Sequence, residues 1–414
     1  MLPEPTLTLT LPSIHDGLVL DCRVYHSLSL SANPRAPAWQ RHAAIVAHPY
    51  APMGGSYDDP VVETVAEQLL RKGFLVGTFN FRGAHGSAGR TSWTSKPERD
   101  DYATFVAFML HYVHHLDPFR PHSSDSLQPP SPARPTPVPV DPVRTRPVLL
   151  MGGYSYGAMV TTLLPPLDAI LQPFVSPIAG SDAAEVRLRA AHLAEQQNIV
   201  LGSARAAMIE HRTIRGGSKR GVRIGGDESG SPRKSHESHG RRSFSLDEEK
   251  LRRGVHDFIA RARSGRHSQK MFHSPVDSQS STIVPPPPGE HLPTIPDLTM
   301  PQPAYLMISP LQGLITHLAT MSLLPSALGK NKDPHDVAAE EKLVMNPGMA
   351  VFGDTDVFVA AHRLRAWTAR LKERTGSRFR GHEVTTAGHF WAEEGVLYKM
   401  SDVVGGFAEE LLSG

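Results

Sequence analysis

The stretch Val148-Leu-Leu-Met-Gly-Gly-Tyr-Ser-Tyr-Gly157 predicts the fold more strongly than any other part of the chain. Its first four residues are apolar and typical of a buried strand, and a helical pattern follows at Ala158–Leu164. Between them, Gly153, Ser155 and Gly157 form the pattern G-x-S-x-G, whose glycines permit a tight turn where side chains would clash. Such a turn lifts the serine above the sheet, so Ser155 is a candidate nucleophile. The alternative is a passive serine in a tight glycine turn.

Short apolar runs rich in β-branched or aromatic residues recur on both sides of this turn. They predict strands at Thr6–Leu11, Leu18–Tyr25, Ala43–Ala47, Phe74–Phe81, Val148–Met151, Ala304–Ile308, Met349–Phe352 and Phe379–Thr385. Helical patterns occur at Val61–Lys72, Asp101–Val113, Ala158–Leu164, Val357–Leu371 and Glu393–Leu412. The first two strands suggest an antiparallel edge. The later alternation favours an α/β fold, with a mostly parallel central sheet and helices on both faces.

Two stretches interrupt this pattern and determine the predicted domain map. Ten prolines lie between Pro118 and Pro147, and residues 211–245 carry nine Lys or Arg against three acids. Neither stretch has enough apolar side chains to fold alone. The α/β core is therefore predicted at 1–117, 148–165 and 304–414, with a Pro-rich insertion at 118–147. A cap or linker insertion is predicted at 166–303, disordered around 211–246, with amphipathic helices at Asp182–Gln197 and Glu248–Arg263 as candidate cap elements.

Composition excludes several classes of protein. Lys and Arg number 43 against 41 acids, a net charge of +2, so a nucleic-acid partner bound through overall charge is not expected. The single cysteine, Cys22, cannot form an internal disulfide, which favours a reducing compartment. The start of the chain shows no basic and apolar leader, and no run of 18 apolar residues predicts a membrane span. These observations lead us to expect a cytoplasmic protein.

Two further motifs carry a family resemblance. Together with the serine turn, His48-Pro-Tyr-Ala-Pro-Met-Gly-Gly55 and Phe79-Asn-Phe-Arg-Gly-Ala-His-Gly86 resemble the α/β-hydrolase superfamily, and more narrowly its small serine esterase-like members. The second motif departs from the family pattern by one extra residue before Gly86. The resemblance covers most of the predicted core and neither insertion. It implies an α/β-hydrolase fold with a Ser-His-Asp triad and no cofactor or metal.

The acid and the base are expected after later strands, in the chain order Ser, Asp, His. Asp354 and Asp356 both follow the strand Met349–Phe352, and the family spacing favours Asp356. The other aspartate is expected to cap the following helix. His389 lies on a loop just beyond the last strand and is the candidate base, whereas the competitor His382 falls within that strand.

The oxyanion donors are expected from two backbone amides. One is the Tyr156 N–H, which the turn at Ser155 directs towards the oxyanion, and the loop after Ala43–Ala47 supplies the other. Pro49 has no N–H, so Tyr50 is favoured there, with Ala51 next. His48 is interpreted either as a support for this site or as a structural histidine. Arg82 is expected to pin its loop through an ion pair, with a solvated arginine as the alternative.

The leading functional hypothesis is a serine hydrolase that cleaves a small-molecule carboxylic ester or thioester. A peptidase or amidase with the same chemistry is one alternative, and a catalytically silent binding module of the same fold is another. His111, His114 and His115 share part of a helix, but lack carboxylate or cysteine partners at metal-site spacing, which favours a solvated polar patch.

Overall fold

The computed structural model describes residues 2–92, 94–119, 146–217, 289–312 and 334–413. Eight strands in these residues form one sheet with the order β1-β2-β4-β3-β5-β6-β7-β8. They are β1 Leu7–Pro12, β2 Val19–Tyr25, β3 Ala43–Ala47, β4 Leu75–Phe79, β5 Val148–Tyr154, β6 Gln302–Ile308, β7 Gly348–Gly353 and β8 Phe379–Val384. All eight were predicted from sequence, with ends that differ by a few residues.

The sheet is antiparallel at one edge and parallel elsewhere. Strands β1 and β2 form the predicted antiparallel hairpin, in which Leu11 pairs with Leu20. Strand β2 also runs antiparallel to β4, while β3 to β8 are all parallel. The parallel strands therefore end at one common edge, where the loops of an open α/β sheet bind ligands.

Helices cover both faces of the sheet, as the sequence predicted. They are α1 Pro60–Arg71, α2 Lys96–His115, α3 Tyr156–Leu163, α4 Leu167–Val175, α5 Asp182–Gly217, α6 Pro334–Met345, α7 Ala361–Lys372 and α8 Val396–Ser413. The side chains of alternate residues in β3 point to opposite faces of the sheet. Ile45 packs into the core beneath α2 and α3, whereas Val46 packs into the core beneath α1 and α8. A strand buried on both faces needs a continuous apolar run, which is what the sequence has there.

Three helices differ by four or more residues from their predicted bounds. Helix α2 begins at Lys96, five residues before the predicted start at Asp101. Helix α7 begins at Ala361, because residues 357–360 form a turn whose N–H groups bond to Asp356. Helix α5 runs on to Gly217, 36 residues in all and past the predicted end at Gln197. Arg189 of α5 donates to Thr10 O of β1, and Asn198 donates to His115 O at the end of α2. These contacts place α5 against the hairpin edge and the end of α2.

Some sequence predictions lie outside the described residues. They are most of the Pro-rich insertion 118–147, the helix Glu248–Arg263, and residues 218–246 of the basic stretch. Among the helices that are described, none taken alone has the length and hydropathy needed to cross a membrane. The pair α3 and α4 passes that test together, but the two helices are bent by 76°.

Candidate active site

Ser155 lies in a sharp turn between β5 and α3. Its backbone has φ 54° and ψ −110°, a left-handed conformation that a residue with a side chain rarely adopts. The Ser155 N–H donates to Ile308 O of the neighbouring strand at 2.8 Å. A Cβ on Gly153 would lie 2.4 Å from the Gly157 carbonyl carbon, and one on Gly157 would lie 2.5 Å from Ala47 O. Both glycines of the motif are therefore required by close backbone approach.

Ser155, His389 and Asp356 form one hydrogen-bonded chain. The Ser155 Oγ lies 2.9 Å from His389 Nε2, and His389 Nδ1 lies 2.7 Å from Asp356 Oδ2. All three side chains are buried, with 6%, 3% and 8% of their residue surface exposed, respectively. They come from the loops after β5, β8 and β7, so the common carboxyl edge of the sheet brings together residues more than 200 positions apart.

Asp356 is held by the loop on which it lies. Its Oδ1 accepts hydrogen bonds from Phe358 N–H at 2.8 Å and Val359 N–H at 2.9 Å, which leaves Oδ2 directed at His389. Asp354 instead accepts from Thr386 N–H at 2.7 Å. The expectation that the aspartate away from the histidine caps the next helix is therefore wrong. Asp356 itself orders the turn before α7, because a turn of Asx type uses the same oxygen geometry as a cap.

The histidine loop is fixed by contacts on both sides of His389. Tyr154 Oη donates to His389 O at 2.9 Å, and Trp391 Nε1 donates to Ser309 Oγ at 3.1 Å. The competitor His382 lies within β8 and is exposed. These contacts hold the backbone of the loop, and Asp356 Oδ2, 2.7 Å from Nδ1, orients the ring itself.

The two candidate oxyanion donors lie on touching loops. Tyr156 is the first residue of α3, so its N–H has no acceptor within the helix. Within the described part of the chain, the Tyr50 N–H likewise has no backbone or side-chain acceptor. The rings of Tyr50 and Tyr156 contact each other, with centroids 5.2 Å apart. Neither N–H thus has an acceptor among the described residues, and the contact between the two rings brings their loops together.

The order of these site elements along the chain is characteristic of one fold. A strained serine turn follows a central parallel strand, and an aspartate and then a histidine follow later strands at the same edge. The chain has the α/β-hydrolase fold. This is the fold that the resemblance implied.

Comparison with solved structures finds proteins similar to this chain. A serine hydrolase without a lid from Xanthomonas campestris is 16% identical, with a TM-score of 0.40, over 99% of this chain and 96% of that one. Est1E from Butyrivibrio proteoclasticus is 11% identical, with a TM-score of 0.41, over 98% and 99% of the two chains. An esterase from Pyrococcus furiosus is 12% identical, with a TM-score of 0.40, over 98% and 89%. No protein-family model matches the sequence, and no curated protein matches it either.

Within this α/β-hydrolase fold, His48 supports the loop that carries Tyr50. Its Nε2 accepts from Phe81 N–H at 2.8 Å, so Nδ1 carries the proton and donates to Pro49 O at 2.6 Å. Burial lowers the pKa of His48 to about 4, which keeps this tautomer neutral. The Pro49 carbonyl and the Tyr50 N–H belong to one planar peptide. His48 therefore fixes the direction in which the Tyr50 N–H points.

Arg82 pins the neighbouring loop through a buried ion pair, as predicted. Its guanidinium donates to both carboxylate oxygens of Asp101, at 2.9 Å and 2.7 Å, and to Asp16. The Asp101 carboxylate also accepts from Ser13 Oγ at 2.6 Å. This network joins the loop after β4 to helix α2 and the N-terminal hairpin. It thereby holds Phe81, which bonds to His48, in place.

Two buried basic side chains were missed or misread from the sequence. Lys342 of α6 is buried and donates to Thr161 O at 2.9 Å and Thr162 O at 3.0 Å, so it caps the C-terminal end of α3. His111 was predicted to be solvated with His114 and His115, but it is only 2% exposed. Burial lowers its pKa to about 3, and neither ring nitrogen has a hydrogen-bond partner among the residues that the structure describes. The prediction was wrong because the helical pattern gave no sign that α2 is buried over most of its length.

Proposed function

We propose that this protein is a serine hydrolase that cleaves a small-molecule carboxylic ester or thioester. The observation that carries the proposal is the continuous chain Ser155 Oγ, His389, Asp356, with contacts of 2.9 Å and 2.7 Å. A serine hydroxyl is a poor nucleophile until a general base removes its proton, and the base needs an orienting carboxylate. The buried chain supplies both.

The proposed reaction has two half-reactions. In the first, Ser155 Oγ attacks the carbonyl carbon while its proton passes to His389 Nε2. The bond to the leaving oxygen or sulfur then breaks, and His389 returns the proton to it, which leaves an acyl-enzyme on Ser155. In the second, a water molecule gives a proton to His389 and attacks the same carbon. The bond to Ser155 Oγ breaks, the serine regains its proton, and a carboxylic acid is released.

Asp356 and the two amides act on the charges that develop in these steps. The carboxylate orients the imidazole and stabilises the imidazolium form of His389. Tyr156 N–H, at the positive N-terminal end of α3, and Tyr50 N–H bind the oxyanion of the tetrahedral intermediate. Each donor of this kind contributes roughly 10²- to 10³-fold to kcat.

Labelling with a fluorophosphonate probe tests the proposal. The purified protein is expected to react at Ser155, and Ser155→Ala is expected to remain folded, to lose the label and to lose roughly 10⁴- to 10⁶-fold in kcat. A panel of p-nitrophenyl esters of increasing acyl length measures hydrolysis in the same preparations. An unlabelled wild-type protein that hydrolyses none of them would instead indicate the silent binding module.

A further inference from the structure

Apolar side chains follow both the acid and the base directly in sequence. Val357 and Phe358 come after Asp356, and Phe390 comes after His389. Val357 is 78% exposed and Phe390 is 57% exposed, whereas Phe358 is half-buried. Exposed apolar side chains that cluster beside a reactive group are typical of a ligand-binding site, because a bound ligand removes their apolar surface from water.

The two phenylalanines lie against the ring of the candidate base. The Phe358 ring centroid is 4.7 Å from that of His389, and the Phe390 centroid is 5.6 Å from it. Phe358 and Phe390 also contact each other edge to face at 5.6 Å. The pair therefore forms a continuous aromatic surface that begins at His389 and reaches solvent at Phe390.

The chemistry of the acylation step assigns this surface to one part of the substrate. His389 Nε2 gives its proton to the leaving atom, which must come within hydrogen-bond distance of that nitrogen, about 2.6–3.2 Å. In the proposed function the Tyr50 and Tyr156 amides bind the oxyanion, so the leaving atom is the part of the substrate that approaches His389. The group that departs as the alcohol is therefore the group that meets Phe358 and Phe390.

We propose that Phe358 and Phe390 form a leaving-group subsite, and that the substrate is an ester of a bulky apolar alcohol. This inference rests on the proposed serine hydrolase function and adds the class of alcohol to it. A flat or branched apolar group covers the exposed ring of Phe390 and removes it from water on binding. A methyl or ethyl group leaves most of that ring exposed.

The test compares ethyl and benzyl esters of one short carboxylic acid, each assayed below its solubility limit. The wild-type protein is expected to prefer the benzyl ester in kcat/KM, and Phe390→Ala is expected to reduce that preference about tenfold. Tyr398→Ala is the matched control, since Tyr398 is an aromatic residue of α8 that is 72% exposed. The control variant is expected to keep the wild-type preference.

A second measurement separates a subsite from a general effect on structure. The leaving group has departed before water attacks, so in Phe390→Ala the loss of rate is expected to be larger for acylation by the benzyl ester than for breakdown of a preformed acyl-enzyme. Phe358→Leu, which keeps an apolar side chain at the half-buried position, is expected to reduce the preference in the same direction.

Two results would overturn the inference. Equal kcat/KM for ethyl and benzyl esters in the wild-type protein would show that the surface does not bind the alcohol. A loss of equal size for both esters in Phe390→Ala would assign that residue to loop structure. In either case, hydrolysis that disappears in Ser155→Ala leaves the proposed function standing, whereas the absence of any Ser155-dependent hydrolysis removes both proposals.

Discussion

Replacement of His48 by glutamine or asparagine separates the two hydrogen bonds of this buried ring. Glutamine places an amide oxygen where Nε2 accepts from Phe81 N–H, but it has no donor at the Nδ1 position that bonds to Pro49 O. Asparagine keeps a donor at the Nδ1 position and loses the acceptor for Phe81. The first variant thus releases the peptide that carries the Tyr50 N–H, and the second releases the loop after β4.

The size of each effect follows from the bond that is lost. Loss of one hydrogen bond with a net contribution of about 0.5–1.5 kcal/mol corresponds to a roughly 2- to 13-fold decrease in kcat. If the Tyr50 N–H no longer pointed at the oxyanion at all, kcat would fall by roughly 10²- to 10³-fold, which is the upper limit of the effect. His48→Gln is therefore expected to lower kcat by roughly 10- to 100-fold with KM nearly unchanged. His48→Asn leaves a buried N–H without an acceptor, and is expected to lower the free energy of unfolding by about 1–3 kcal/mol.

Ester hydrolysis and chemical denaturation of both variants provide the comparison. Affinity for a trifluoromethyl ketone, which forms an oxyanion on Ser155, is expected to fall with kcat in His48→Gln, while affinity for the carboxylate product does not. A folded His48→Gln protein whose kcat lies within twofold of the wild-type value would refute the reasoning. It would show that the Pro49–Tyr50 peptide is held without this bond, or that its N–H plays no part.

Three further predictions concern other parts of the site and the core. Asp356→Asn is expected to lower kcat roughly 10⁴-fold, because it loses the carboxylate that orients the imidazole, and Asp354→Asn far less; a reversed ranking in ester hydrolysis would assign the acid to Asp354. Lys342→Met is expected to lower the free energy of unfolding by about 2–4 kcal/mol in urea titrations, since buried carbonyls at the end of α3 lose their donor; an unchanged midpoint would contradict this capping role. His111 is neutral in the folded state and binds a proton in the unfolded state below about pH 6.5, so it lowers stability as the pH falls from 6.5 towards its folded pKa of about 3. His111→Leu is expected to abolish about 2 kcal/mol of the wild-type loss of stability between pH 7 and pH 5, and an identical pH dependence in both proteins would disprove it.

The sequence predicts the strands well because burial on both faces needs continuous apolar runs. Ile45 and Val46 are adjacent in sequence and lie in different cores, so a parallel strand leaves a pattern without alternation. Ser155 and His389 could be located because strand ends at one edge of a parallel sheet converge. The glycines around Ser155 also predict a tight turn between a strand and a helix, and few other turns in the chain have such a specific pattern.

Contacts between distant segments could not be predicted in the same way. The bond from His48 to Pro49 O depends on the ring tautomer, which in turn depends on Phe81, 33 residues away. The double role of Asp356 depends on how residues 357–360 turn, and a helical pattern that continues through them conceals that turn. The burial of His111 depends on the elements that pack over α2, and the composition of α2 does not reveal them.

The reactivity of Ser155 depends on contacts with several strands, and it can therefore be used to follow the assembly of the sheet. Ser155 N–H bonds to Ile308 O of β6, Gly157 closes against Ala47 O of β3, and both belong to a turn that follows β5. Three strands from distant parts of the chain must therefore be in register before the serine has its folded backbone. Contacts of such large sequence separation form slowly, because the intervening chain must be ordered first. During refolding from denaturant, the appearance of fluorophosphonate labelling would report the time at which these central strands and the loops that carry Asp356 and His389 have come together.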